Sequence, residues 1–336
     1  METTIVPPLW AKPGWIEEVS AWIDAELARL GYTMIGPLQQ PHLRPWSTVL
    51  RVPTAEGALF FKANTPLIAF EPALAQMLYR LRPDLTLRVL AANPARGWML
   101  LVDGGPRLRE VIRADRDPGH WERLLPRYAE LQIALAGMSP ELLALGVPDR
   151  RMHRFPELIA ELLDTPDKLR IGLPDGLSVE AWRGLRDEAP ALTDLCQQLV
   201  SAGVPQSLHH GDFHDANIFA GDRGYRFFDW GDANLSHPFF SLRTVFVSVE
   251  NSLQLEEGAP QFDRLRDAYL EPWTTFLPAS ELRSLFKIAA QVAPLSSVLG
   301  WNYGLSAADS VAAADFAHAI PALFQEYLDL QAGAAG

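Results

Sequence analysis

At 336 residues the chain is long for a single hydrophobic core, so two lobes or domains are expected. Its apolar fraction of 48% and charged fraction of 21% are those of an ordinary folded protein and exclude wholesale disorder. A net charge of -12 argues against a broad nucleic-acid surface, and no apolar run approaches the roughly 18 residues a membrane span needs. The opening stretch METTIVPPLWAKPGW lacks a basic segment leading into an apolar run, so no secretory leader is expected and a cytoplasmic location fits. The one cysteine, Cys196, sits on an apolar stripe with Leu192, Leu195 and Leu199. It reads as a packed thiol, not as half of a disulfide or part of a Cys-rich zinc site.

In chain order, the first predicted helix runs from Pro13 to Leu30, where Trp15, Val19, Trp22, Ile23, Leu27 and Leu30 recur at helical spacing and Gly31 supplies a stop. Two strands follow, Ser47 to Val52 and Ala58 to Lys62, joined by a turn at Thr54-Ala55-Glu56-Gly57. Ala73, Leu74, Met77, Leu78 and Leu81 mark a second helix, with Pro72 tolerable only in its first turn. Strands at Leu85 to Ala91 and Gly97 to Val102 then lead into Asp103-Gly104-Gly105-Pro106, the best boundary in the chain.

Beyond that boundary the pattern is helical. One stripe runs from Trp121 through Tyr128 to Leu135 and ends at Gly137, and further helices are expected at 153–164, 178–202, 237–252, 261–276, 280–300 and 309–331. The exception is 217–229, where Asn217-Ile218-Phe219-Ala220 and Tyr225-Arg226-Phe227-Phe228 flank Gly221-Asp222-Arg223-Gly224 as a β-hairpin. The only low-complexity segment is the Gly/Ala tail at 332–336. The expected architecture is α+β: a small strand-rich lobe over 1–102, a joint at 103–106, and a mainly helical lobe over 107–336 that carries the hairpin.

Chemistry-bearing residues are densest in His209-His210-Gly211-Asp212-Phe213-His214-Asp215-Ala216-Asn217 and in Phe228-Asp229-Trp230-Gly231-Asp232. A carboxylate and an amide five residues apart, with a second carboxylate at a strand end, offer a proton acceptor and the hard oxygen donors that suit Mg2+, and Gly231 is expected to let the chain turn sharply behind Asp229. The pattern His210-Gly211-Asp212-x4-Asn217 with Asp229-x-Gly231 downstream resembles the aminoglycoside phosphotransferase and choline kinase-like family of protein-kinase-like fold. The resemblance implies a bilobal enzyme that transfers the γ-phosphoryl group of ATP to a hydroxyl of a small molecule. It implies Asp212 as catalytic base and Asn217 and Asp229 as Mg2+ ligands. It extends upstream to Lys62 at a strand end as the nucleotide lysine, Glu71 as its ion-pair partner, and Leu101, Val102 and Asp103 as the hinge that reads adenine.

One departure stands out. Where protein kinases carry a glycine-rich loop this chain has Arg44-Pro45-Trp46-Ser47-Thr48, which favours a small-molecule kinase. Ser47 and Thr48 read equally as phosphate donors and as strand residues. The resemblance implies His210 as a loop-orienting group; taken without it, Arg107-Leu108-Arg109 reads as a solvated face, Trp230 as packing, and Asp232 as a cap for the helix near His237-Pro238 in preference to a second metal ligand.

Two alternatives compete. His209, His210, His214, Asp215 and Asp229 would suit a metal-dependent hydrolase, and a nucleotide-binding pseudokinase would need no chemistry at all. The resemblance implies an acceptor pocket over about 235–305, where Glu250, Glu256, Glu257, Asp263, Trp301, Asn302 and Tyr303 would suit a cationic amine. A monomer or homodimer is expected.

Overall fold

The computed structural model describes residues 9–222, 224–256, 258–307 and 313–334. The leader reading of the first eight residues, Arg223 of the hairpin turn, Glu257, the opening of the predicted 309–331 helix and the last two tail residues lie outside the described residues.

The chain divides into two compact units. One holds the residues up to Pro106, Phe219–Gly231 and the described part of Tyr303–Phe316. Its elements are α1 (Trp15–Leu30), β1 (Gln39–Leu43), β2 (Ser47–Thr54), β3 (Gly57–Asn64), α2 (Glu71–Leu81), β4 (Val89–Asn93) and β5 (Trp98–Val102). The strands form an antiparallel sheet in the order β1-β2-β3-β5-β4.

Period-two alternation sorts this sheet into two faces. Leu50 and Val52 of β2, Leu59, Phe61 and Ala63 of β3, and Trp98 and Leu100 of β5 pack with Val19, Ile23 and Leu27 of α1. Burying each large apolar side chain contributes about 1.5–3 kcal/mol, which outweighs the weak intrinsic preferences of short strands. The same alternation turns Lys62 and Asn64 to the other face, and Lys62 pairs across the ladder with Met99.

The helical unit holds Arg107–Ile218, Asp232–Asn302 and the described residues from Ala317. It contains α3 (Leu108–Asp115), α4 (Gly119–Leu135), α5 (Ser139–Ala144), α6 (Phe155–Leu163), α7 (Val179–Asp187), α8 (Ala189–Ser201), α9 (Ser241–Leu253), α10 (Pro260–Leu270), α11 (Ala279–Ser306) as far as Asn302, and a further helix at Ala319–Ala334. The strands Ser207–His209 and Asn234–Ser236 pair antiparallel. At its centre lies α4, whose Tyr128 stacks on Phe213 with ring centroids 3.8 Å apart. Cys196 is buried in α8, and burial pushes its thiol up to about 12.

Several elements differ from expectation for identifiable reasons. The strand foreseen at Leu85 to Ala91 divides. Leu85 and Leu87 exchange backbone hydrogen bonds with Phe227, and the ladder with β5 begins at Val89. Those bonds stitch the hairpin (Ile218–Gly221 and Gly224–Phe227) to the strand-rich unit, although its place in the chain suggested the helical one. The predicted 178–202 helix breaks into α7 and α8 because Pro190 has no N–H and its ring clashes with the preceding turn. Arg107-Leu108-Arg109 is a solvated face only in part: Arg107 is exposed, but the run leads into α3 and Leu108 is fully buried. Among the described residues no helix is long and apolar enough to cross a membrane.

Candidate active site

Lys62 and Asn64 leave the same face of β3, and Glu71 opens α2, with Pro72 in its first turn. The Lys62 ammonium donates to Glu71 Oε1 at 2.8 Å and lies 2.7 Å from its Oε2. Asn64 Nδ2 donates to Oε2 at 2.7 Å, and the backbone N–H of Trp230 donates to Oε1 at 2.9 Å. Lys62 also reaches Asp229 Oδ1 at 2.5 Å. Burial works against both members of the Lys62–Glu71 pair and pushes the Glu71 carboxyl up. Against that same burial, the Asp229 and Glu71 carboxylates hold the Lys62 ammonium pKa above its ordinary value. Lys62, Glu71 and Asp229 are thus brought together within the strand-rich unit.

Asp229 holds φ at +66°, a left-handed backbone that Asp tolerates better than most residues. Gly231 serves a different purpose from the sharp turn expected of it. Its φ is not positive; a Cβ there would lie 3.1 Å from Ile68 Cγ2 and 3.4 Å from Glu71 Oε2, so its small size favours a close approach and its backbone angle is not the reason for it. Trp230 is buried packing, as its sequence reading held.

The hinge residues have distinct surroundings. Leu101 lines a small cleft with Ala75, Met99, Phe228 and Glu71. Val102 donates its N–H to Arg88 O at 3.3 Å, and the Asp103 carboxylate accepts from Gly105 N at 2.9 Å. Gly104 backs onto the Phe219 ring, which a Cβ would penetrate at 2.1 Å, and Phe219 stacks on Phe228 at 4.2 Å. Thr48 is committed to the sheet: its hydroxyl donates to His42 O at 3.0 Å and accepts from Gln40 Nε2 at 2.8 Å.

In the helical unit, Asp212 and Asn217 are brought together. Asn217 Nδ2 donates to Asp212 O at 2.9 Å and to its Oδ2 at 3.1 Å, and His214 Nε2 lies 3.1 Å from the same Oδ2. Among the described residues Oδ1 has no protein donor, and the Asp212 side chain is 43% exposed. The loop hangs on α4: Tyr128 Oη accepts from His210 N at 3.1 Å, and Phe213 is clamped by the Tyr128 ring. His210 Nδ1 accepts from Asp212 N at 3.3 Å, the orienting role foreseen for it.

Gly211 is at φ +83°, and a Cβ there would fall 2.2 Å from Asp232 O. Gly211→Ala is therefore expected to destabilise the fold by about 2–5 kcal/mol, from left-handed strain plus overlap. Urea denaturation checks this, and a wild-type midpoint would refute the account.

The histidines do not form a metal centre. His209 lies beside Asn234 Nδ2 at 3.5 Å, the Nδ1 atoms of His210 and His214 accept backbone N–H groups, and Asp215 is spent on Arg109. Among the described residues no group of three or more His, Cys, Asp or Glu is arranged to hold a metal. His237, not Asp232, caps the turn at Pro238–Phe240, its Nδ1 accepting from Phe239 N.

Burial, with the charges of His210 and Arg150 adding to it, lowers the pKa of His209 to about 3; burial alone does the same to His237. Both stay neutral in the fold and take up protons on unfolding, so their share of stability is complete above about pH 6.5 and is lost as pH falls toward 3. Between those limits the two together are expected to cost about 2.7 kcal/mol of stability per pH unit. Urea midpoints recorded from pH 7 to pH 4 check this, and a flat profile would refute it.

Residues 49–281 match the phosphotransferase enzyme family, APH. The chain belongs to that family. It is thus a phosphotransferase enzyme, which leaves the hydrolase and pseudokinase alternatives without support. No curated protein matches this phosphotransferase in sequence. Solved structures share its fold. A choline/ethanolamine kinase family protein from Mesorhizobium loti is 19% identical, covering 94% of this chain and 98% of its own at a TM-score of 0.58. An ethanolamine kinase from Plasmodium vivax is 11% identical, covering 88% of each chain at 0.57. A macrolide 2'-phosphotransferase from Brachybacterium faecium is 17% identical, covering 90% and 98% at 0.55. The phosphotransferase therefore has the protein-kinase-like fold expected of it.

Sequence reasoning missed Asn64, Tyr128 and the Arg109–Asp215 pair. Asn64 was within reach, because it lies two residues past Lys62 on the same strand face. The others meet partners far away in sequence, and no local spacing announces them.

Proposed function

We propose that this phosphotransferase moves the γ-phosphoryl group of ATP to a hydroxyl of a small molecule, with Asp212 as the base. The observation that carries the proposal is the state of the Asp212 carboxylate. Oδ2 is held by Asn217 and His214, which orients the group, and Oδ1 has no protein donor. A carboxylate so placed can accept the acceptor's proton as the oxygen attacks phosphorus, and phosphoryl transfer asks little other covalent help of the protein. Lys62, oriented by Glu71, serves the α- and β-phosphates, and the backbone of Leu101, Val102 and Asp103 reads the adenine.

Mg2+ fits the donors present. Asn217 spends its NH2 on Asp212, which leaves its Oδ1, and Asp229 supplies a carboxylate that also meets Lys62. Both are hard oxygens of the kind Mg2+ takes alongside water. When bound, the ion offsets the charge on the phosphates.

The relatives whose folds match act, by name, on ethanolamine, choline or macrolides. For this chain the net charge of -12 favours a cationic amine among the acceptors by steering. The carboxylates expected to read that amine are less telling: Glu250, Glu256 and Asp263 are exposed, and Asp263 pairs with Arg266. Asn302 and Tyr303 bond Lys168 and Leu67 O. In this reading the enzyme works in the cytoplasm, as a monomer or homodimer. The test is ATP consumption across amino-alcohols, aminoglycosides, macrolides and sugars. ATP-dependent phosphorylation of none of them would reject the acceptor class.

A further inference from the structure

Beside the catalytic loop lies a charge pair that the proposed reaction does not use. Asp215 is fully buried; its Oδ1 accepts from Arg109 Nε at 2.7 Å, its Oδ2 accepts from the Ser252 hydroxyl, and its backbone N–H donates to Ser248 Oγ at 3.2 Å. Both carboxylate oxygens and the loop backbone are thereby locked. α3 packs on the turn Asp215–Asn217, and Leu108, one residue before Arg109, is sealed in the core. The Arg109 side chain has little freedom left at its root.

The guanidinium itself is not consumed. It carries five N–H donors in a planar fork, and the buried carboxylate takes only the one on Nε. Among the described residues the two terminal nitrogens have no protein acceptor, and the side chain is 37% exposed. Its charge reaches the His214 ring, whose Nε2 lies 3.1 Å from Asp212 Oδ2. An arginine that only tied α3 to the loop would do so equally well with a bidentate grip on Asp215. Here Ser252 holds the second oxygen, and Arg109 meets its anchor through Nε alone. A planar pair of donors with fixed orientation matches the two oxygens of a carboxylate, phosphate or sulfate.

We propose that Arg109, anchored by Asp215, is an oxyanion-binding residue of this phosphotransferase, reading either an acidic group on the acceptor or the phosphoryl group in transfer. This rests on the reading of Asp212 as the base, which places the reacting atoms at this loop. The two sources share one chemistry and separate by experiment.

The full-length enzyme is compared with Arg109→Gln and Arg109→Lys in ATP consumption, with water alone and with the matched acceptors glycerol and glycerate, and ethanolamine and serine. If the oxyanion belongs to the acceptor, wild type favours the acidic member of a pair, and Arg109→Gln lowers that preference by about 10- to 100-fold. If it is the transferring phosphoryl group, Arg109→Gln lowers the water-only rate by a similar factor and leaves the preference alone. Either result supports the proposal, as does partial rescue by Arg109→Lys, which keeps the charge but not the fork. A folded Arg109→Gln variant with wild-type rates and preferences, in an enzyme that Asp212→Asn inactivates, would overturn it.

Should no turnover sensitive to Asp212→Asn be found, the reading of Asp212 fails separately. The oxyanion site then stands or falls on thermal stabilisation by inorganic sulfate over chloride at matched ionic strength. A rise in wild type that Arg109→Gln abolishes upholds it. No rise, or an equal rise in both, rejects it.

Discussion

Asp212→Asn is expected to lower kcat for ATP-dependent phosphorylation by about 10^2- to 10^4-fold, the range for losing a positioned general base. The substitution is close to isosteric. An asparagine can turn its carbonyl oxygen toward Asn217 Nδ2 and His214 Nε2, so the two bonds that orient the side chain survive. What is lost is the capacity to take a proton on the exposed side. Because the side chain is 43% exposed, stability should change by no more than about 0.5 kcal/mol. KM for ATP should hold as well, since the residues proposed for the phosphates and adenine are others. Steady-state kinetics with urea denaturation on the same preparation separates these effects. A variant that keeps wild-type kcat would remove Asp212 from the mechanism; one that loses activity only by unfolding would leave its role unproven by this substitution and shift the test to Asp212→Glu, which keeps the base but displaces it.

How much of this was legible in the sequence follows from which forces act locally. α1, β2, β3 and α4 could be read because one face of each is buried, and burial writes a period of 3.6 or 2 into the apolar residues. β1 (Gln39–Leu43) left no such mark: it is an edge strand, polar and largely exposed, with Pro41 inside it. α3 was concealed by its charged residues, Arg109 and Arg113 among them, and its two buried residues, Leu108 and Ile112, are too few to set a period. The strands Ser207–His209 and Asn234–Ser236 are three residues each and exist only because they meet.

The same rule sorts the site. Asp212 and Asn217 are five residues apart and bond each other, so their spacing could be read locally, whereas Lys62 and Glu71, nine apart, were paired only through the family resemblance. The bond from Trp230 N to Glu71 spans 159 residues, and that from Arg109 to Asp215 spans 106. Such contacts are created by tertiary packing and leave no periodic trace. Gly231 shows a subtler gap. Its presence was noted, but the cause was mistaken, because a glycine kept for space and one kept for its backbone angle look alike in sequence.

Glu71→Ala is expected to destabilise the protein by about 3–5 kcal/mol, the cost of removing one partner from a buried ion pair. Glu71 is inaccessible to solvent and accepts from Lys62, Asn64 Nδ2 and Trp230 N, so its loss strands three donors, one of them charged. Asp229 still meets Lys62, which places the result nearer 3 than 5. Lys62→Met should cost a similar amount at neutral pH by the opposite route, leaving the Glu71 carboxylate buried with neutral donors only. Burial already pushes that carboxyl up, and without the ammonium it rises further. A carboxyl whose folded pKa exceeds its unfolded one is a liability above the unfolded value and a smaller one below it. The Lys62→Met deficit should therefore shrink as pH is lowered from 7 toward 4. The double variant Lys62→Met/Glu71→Leu removes both charges at once and should cost clearly less than the two single changes added together. Urea denaturation of the four proteins closes the cycle, and simple additivity would show that the two charges do not depend on each other. Turnover is the sharper readout: the double variant should regain stability without regaining phosphorylation, because an apolar pair can fill the space beneath the sheet but cannot meet a phosphate.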